Sequence, residues 1–246
     1  MSVVRCNLLA ESPALVGRTN RAQQSYWYCT PAGLAEAAAS GELPPRSSRT
    51  TGQRAAAKTG LREQGLALAD TVLAFQHAGA AEYTDWRVEV AHPTPAGTLV
   101  PDDVVLLDDG TSAFVEIDRT MSYAKLLAKL ERYDAYRSAL PSGRGNAART
   151  PCSHWQETYS GPHLERAFPP VLFVFAPAPR RAAPDTREAA FHERARSLSN
   201  VGYRIAVATT TLARLTQHDA TGPVWRIAGR GASEDRHGIG RLPKAR

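Results

Sequence analysis

Residues 99–118 read LVPDDVVLLDDGTSAFVEID, and this stretch, Leu99 to Asp118, decides the fold. Asp108-Asp109-Gly110 separates two apolar runs. Gly110 suits the left-handed position that closes a three-residue hairpin loop by a type I turn and G1 bulge. In that register Leu107 faces Thr111, and counting back sets Asp102 opposite Glu116. Side chains alternate along a strand, so these two carboxylates share a face, with Asp118 two residues further along it. A two-residue turn centred on Asp109-Gly110 would instead pair Glu116 with Asp103. Val104, Leu106 and Phe114 line one face and Val105, Leu107, Val115 and Ile117 the other, so burial is expected on both sides.

Three carboxylates at one end of such a hairpin repel each other unless protons or a divalent cation neutralise them. Hard oxygen donors suit Mg²⁺ or Mn²⁺, which keep several waters and readily add phosphate oxygens. Asp102, Glu116 and Asp118 are therefore the candidate metal ligands. In the plainer alternative, Asp102 and Asp103 open a strand at a solvated edge and Glu116 pairs with an arginine such as Arg119.

Downstream, the pattern predicts a helix over 122–139, closed by Pro141 and Gly143. Lys125, Lys129, Arg132 and Tyr136 form one stripe, and Tyr123, Leu126, Leu130 and Tyr133 form the apolar face beside it. The helix starts just after Asp118, so its first two turns stay near the carboxylates and a lysine there has a candidate role. Residues 141–169, rich in Pro, Gly and Ser, read as a long loop or insertion. Val171–Ala176 (VLFVFA) reads as a buried strand, followed by a helix over 185–198, a strand over 203–209, a short helix and a strand around 224–227. Upstream, a helix over 61–78 precedes strands over 86–92, 99–107 and 112–118. The order helix, three strands, helix, strand, helix, strand implies an α/β sandwich with a mixed sheet covered on both faces. Nearer the start, Ser25–Cys29 reads as a strand, Thr30-Pro31 opens a short helix through about Ser40, and 41–59 reads as a linker.

Charge is distributed unevenly along the 246 residues. Residues 1–60 hold 7 basic and 3 acidic side chains, 61–140 hold 7 and 13, and 141–246 hold 16 and 8, so an acidic middle lies between basic flanks. Basic flanks serve solubility or form a phosphate-binding rim around a carboxylate site, an arrangement suited to a metal-dependent enzyme acting on nucleic acid. No apolar run is long enough to cross a bilayer, and Met1–Ala10 does not read as a cleaved signal, so a cytoplasmic protein without membrane contact is expected. Cys6, Cys29 and Cys152 form no C-x-x-C pair, and Cys152, His154 and His163 lack a clear fourth zinc ligand.

Pro101-Asp102, Glu116-x-Asp118-Arg119 and Lys129-x-x-x-Tyr133 together resemble the replication-relaxation family of actinobacterial plasmid and mobile-element proteins. That family is grouped with the PD-(D/E)xK nuclease-like superfamily. The resemblance covers roughly residues 25–215, and 99–137 carries most of its specificity. It implies a restriction-endonuclease-like α/β sandwich over 59–215, with a central mixed sheet flanked by helices and an insertion at 141–169. It also implies a short winged-helix remnant and linker over 1–58, since Tyr28–Gly33 is similar to the end of that module. Residues 216–246 form a basic extension whose polar, Gly-rich end is expected to be mobile. The PD-(D/E)xK pattern places Lys two residues after the glutamate, where this chain has Asp118. A lysine from the following helix, Lys129 or else Lys125, takes its place in the implied site. Glu63 and Asp70 are candidates for a further acid on the first helix, while the family carries a histidine near Gln64.

The implied activity is that of a Mg²⁺- or Mn²⁺-dependent DNA endonuclease or nickase. Asp102, Glu116 and Asp118 hold the ion, Lys129 serves catalysis, and Arg119, Lys125 and Arg132 grip DNA. Other plasmid replication proteins are expected partners. A rival reading is a catalytically silent DNA-binding replication accessory with the same fold. A third, a tyrosine relaxase using Tyr133 or Tyr136, is disfavoured because the seven histidines include no His-x-His pair.

Overall fold

The computed structural model describes residues 16–21, 24–29, 32, 59–95, 97–119, 121–140, 153–159, 167–229 and 232–242. The chain divides into two compact units, Met1–Ala69 and Asp70–Arg246. In the first, β1 (Val16–Arg21) pairs antiparallel with β2 (Gln24–Cys29), from Val16 opposite Cys29 to Arg21 opposite Gln24. The strand expected over 25–29 is present, and β1 was not anticipated. The winged-helix remnant is not established by this hairpin, and the expected helix and linker between 30 and 58 lie outside the described residues, Ala32 excepted.

Helix α1 (Thr59–His77) leads into the second unit, where residues 70–77 belong. The unit then runs through β3 (Trp86–Val88), β4 (His92–Thr94), β5 (Gly97–Leu99), β6 (Asp103–Leu106), β7 (Ser112–Asp118), α2 (Tyr123–Arg137), α3 (His154–Tyr159), β8 (Val171–Phe175), α4 (Pro184–Ala195), β9 (Val207–Thr211), α5 (Leu212–His218), β10 (Trp225–Ile227) and β11 (Arg236–His237). Seven strands form one sheet in the order β11-β10-β9-β8-β7-β6-β3. β7, β8 and β9 are parallel, β6 is antiparallel to both β7 and β3, and β10 is antiparallel to β9 and β11. This is the expected mixed sheet.

All five residues of β8 are buried, as a parallel strand covered on both faces requires. On one face, Phe114, Phe173 and Phe175 share a core with Leu126, Leu130, Tyr133 and Tyr136 of α2 and Phe191 of α4. On the other, Phe75 of α1 meets Trp86 and Trp225 edge-on, at 5.1 and 6.1 Å between ring centroids. Each such fully buried large side chain contributes about 1.5–3 kcal/mol by leaving water. Helices therefore flank the sheet, in which the carboxylate hairpin lies between β8 and the edge strand β3. Leu106 departs from the expected two-sided burial and is 46% exposed.

Three departures have identifiable physical causes. The strand expected over 86–92 stops at Val88, because Glu89 takes a left-handed φ of 50° that turns the chain out of the sheet. His92–Thr94 then pairs with Gly97–Leu99 as a separate hairpin, and Pro101, without an N–H, separates β5 from β6. The stretch expected to be loop over 141–169 contains α3, whose Trp155 is 4% exposed and donates to the Arg137 carbonyl at 2.9 Å. The C-terminal end expected to be mobile contributes β11. Arg236 donates to Glu188 at 2.6 Å and to the Val224 carbonyl at 2.8 Å, tying that strand to the core. No helix among the described residues is long and apolar enough to cross a membrane.

Candidate functional site

The hairpin turn sets the site. Gly110 sits at φ 79°, its N–H donates to the Leu107 carbonyl at 2.8 Å, and Leu107 N–H donates to the Thr111 carbonyl at 2.7 Å. This is the three-residue loop, and the two-residue alternative is excluded. Asp103 consequently pairs with Val115 and Val104 with Phe114, which brings Asp102 opposite Glu116 one step before the ladder. Asp102 accepts a hydrogen bond from Ile117 N–H at 2.7 Å, holding its carboxylate against β7.

Glu116 is fully buried on the α2 side of the sheet. Lys129 Nζ donates to its Oε2, and Tyr133 OH donates to its Oε1 at 2.5 Å. Lys129 and Tyr133 are one helical turn apart, so one face of α2 delivers an ammonium and a phenol to one carboxylate. Burial pushes the Glu116 carboxyl up to about 7, against the pull of Lys129, and the negative Asp102 beside it adds to the rise. Burial likewise raises Tyr133, reinforced by the charge of Glu116. Glu116 thus pairs with a lysine rather than with Arg119.

Asp118 lies further along the same face but has different partners. Its Oδ1 accepts from Met121 N–H at 3.0 Å, and its Oδ2 accepts from Arg187 of α4. Burial raises its carboxyl and Arg187 opposes the rise. Arg119 donates through Nε to the Pro177 carbonyl at 3.0 Å. Lys125 and Arg132 are exposed on α2, and Asp70 is exposed on α1. Of the two lysines left open by the sequence, Lys129 is the one in contact with Glu116. Tyr136, expected on the cationic stripe, is fully buried and bonds His154 Nδ1 at 2.9 Å, because at this end of α2 the stripe is covered by His92, Phe114 and Phe168.

Asp103 points to the opposite face from Asp102 and is buried with Oδ2 unpartnered; burial raises its carboxyl to about 7. Among the described residues, no three or more His, Cys, Asp or Glu side chains are gathered so as to hold a metal ion. Cys152 and His163, weighed above as zinc ligands, lie outside the described residues. The geometry therefore brings Asp102, Glu116 and Lys129 together, while Asp118 is committed to Arg187. Sequence reasoning missed Arg187, which stands 69 residues after Asp118 in a helix with no local mark of its role.

No curated protein and no solved structure matches the chain. The family model described as replication-relaxation matches residues 4–151, more than half of the chain and including Asp102, Glu116, Asp118 and Lys129. The chain belongs to the replication-relaxation family.

Proposed function

We propose that the protein is a Mg²⁺- or Mn²⁺-dependent DNA endonuclease or nickase that serves plasmid or mobile-element replication. The observation that carries this reading is the contact of Lys129 with Glu116 directly across the hairpin from Asp102. The sheet supports a PD-(D/E)xK assignment. Three strands after the first helix, β3, β6 and β7, lie side by side with the second reversed, and β8 and β9 follow in parallel. Asp102 enters the second of these strands and Glu116 lies on the third. The lysine absent from position 118 is supplied by α2.

The donor set fits a magnesium-type ion in kind. Such an ion is commonly held by one or two carboxylates, with phosphate and water completing its shell. Asp102 and Glu116 would hold it, and the engagement of Asp118 by Arg187 leaves that residue a positioning role in this reading. When bound, the ion supplies Lewis acidity toward a phosphate oxygen and makes water more acidic. The side chains do the rest. Tyr133 and Ile117 N–H fix the two carboxylates in orientation. Lys129 places positive charge where a phosphate gains negative charge during hydrolysis. The test is cleavage of supercoiled plasmid in Mg²⁺: the wild-type protein nicks it, and Glu116→Gln and Lys129→Met do not. Equal cleavage by Glu116→Gln rejects the assignment.

One observation favours a second reading. Glu116 is completely buried with both oxygens already engaged, as befits a silent relative of a nuclease that binds DNA without cutting it. Calorimetry without Mg²⁺ or Mn²⁺ binding, beside DNA binding that weakens with salt, selects that reading.

A further inference from the structure

Glu116 and Asp118, two residues apart on β7, are each paired with a cation from a helix, and the two pairs are built differently. Arg187 is held at two points: it donates to Asp118 and, at 3.1 Å, to the Ala176 carbonyl. Its side chain is 6% exposed, so the guanidinium is locked where it stands. Among the described residues, Lys129 Nζ bonds Glu116 Oε2 and nothing else. The Lys129 side chain is 16% exposed, and it is an ammonium on a flexible four-carbon stem. Helix side chains lean toward the N-terminal turn, and Lys125, one turn earlier on the same stripe, is exposed. The ammonium of Lys129 can therefore leave its partner for solvent without any movement of α2.

The other contacts of the centre do not depend on Lys129. Tyr133 OH donates to Glu116 Oε1 at 2.5 Å, and Ile117 N–H donates to Asp102 Oδ2 at 2.7 Å. Both carboxylates keep these anchors if Oε2 changes partner. A carboxylate as completely buried as Glu116 needs a positive charge beside it at all times. In the chain as it stands, Lys129 supplies that charge. A divalent ion held by Asp102 and Glu116 would meet the same need. An ammonium left on Oε2 beside such an ion would face direct repulsion, so one carboxylate oxygen serves two cations in turn.

We propose that Lys129 is a tethered cation that occupies Glu116 in the ion-free chain and is displaced from Oε2 when a divalent ion binds. The proposal rests on the reading of Asp102 and Glu116 as an ion centre and adds how that centre is regulated. The burial of Glu116 and the engagement of both its oxygens then describe a closed, ion-free state rather than a dead site. Displacement also releases the Lys129 ammonium, so the charge that meets a substrate phosphate becomes free only once the ion is in place.

The experiment is lysine acylation of the full chain at pH 7.5, with and without Mn²⁺, read by site-resolved mass spectrometry and set beside calorimetry of the same sample. The chain has four lysines, Lys58, Lys125, Lys129 and Lys244, and the exposed Lys125 is the internal reference. Without the ion, Lys129 is labelled more slowly than Lys125. Saturating Mn²⁺ raises Lys129 to the rate of Lys125, and EDTA restores its protection. In Glu116→Gln, Lys129 is labelled at the rate of Lys125 without the ion, and Mn²⁺ changes nothing. Thermal melts check that the variant is folded; if it is not, the wild-type comparison decides alone. Mn²⁺ that binds by calorimetry while Lys129 stays protected overturns the exchange and leaves the ion centre standing. An equal Mn²⁺-dependent rise in Glu116→Gln also overturns it, because the reactivity then has another source. A wild-type chain that binds no Mn²⁺ overturns the ion centre and the exchange with it.

Discussion

Lys129 reaches back from α2 to the buried carboxylate of Glu116 on β7, thirteen residues earlier in the chain, and Tyr133 completes the same carboxylate from the next turn. A buried ion pair of this kind is costly to break on one side, because the survivor remains desolvated without a counter-charge. Lys129→Met should therefore cost about 3–5 kcal/mol in urea unfolding at pH 8. The double variant Lys129→Met/Glu116→Gln should be less destabilised than the sum of the singles, by about 0.5–3 kcal/mol. Additive losses would mean that the two groups do not act as a pair.

Tyr133 donates to Glu116 at 2.5 Å in a fully buried setting. Tyr133→Phe leaves that carboxylate short of a donor and should lower stability by about 1–3 kcal/mol. On the proposed nuclease reading, plasmid nicking should fall without vanishing, since the phenol orients Glu116. A covalent protein–DNA adduct formed by the wild-type chain and lost in this variant would contradict that role.

Much of this centre was legible in residues 99–133. Asp-Asp-Gly selects a turn, the turn selects the register, and the register selects Asp102 over Asp103; each step is local, so the sequence carries it. The helical stripe around Lys129 was equally plain, although Tyr136 on that stripe is buried by distant partners, His92, Phe114 and Phe168. Long-range choices were not legible. Nothing near Asp118 announces Arg187, and nothing near Glu89 reveals its left-handed turn, which splits the expected strand and frees residues 92–99 to form their own hairpin. Helix α3 is held by tertiary burial of Trp155, and β11 by the reach of Arg236 to Glu188, so composition alone misread both segments.

Trp155 pins α3 onto the end of α2 through its indole N–H and its buried ring. Trp155→Ala should cost about 3–5 kcal/mol by the usual penalty for a large buried aromatic. Proteolysis within 141–169 should accelerate in parallel. If the melting temperature is unchanged, α3 contributes no stability to the fold.

Stability should also depend on pH through His192. It is buried, bonds Thr209 Oγ1 at 2.7 Å, and is surrounded by Glu188, Arg226, Arg236 and Arg196. Burial lowers its imidazole to about 4, with Arg226 adding to the effect and Glu188 opposing it. The folded state then binds fewer protons than the unfolded state between about pH 4 and 6.5, so this contribution is present above 6.5 and is lost as pH falls toward 4. His192→Gln should flatten that part of the unfolding profile by about 1–3 kcal/mol. The profile of the variant, compared with that of the wild type, isolates this residue from His92, which burial lowers in the same direction. Parallel profiles would remove His192 as a source of acid sensitivity.

The most direct test of the central claim is Mn²⁺ binding by calorimetry at pH 7.5, on the wild-type chain and on Asp102→Asn and Glu116→Gln. One site per chain in the wild type, lost in both variants while their folded spectra persist, is the predicted result. No binding to the wild type, or equal binding by all three chains, would contradict an ion centre built from Asp102 and Glu116.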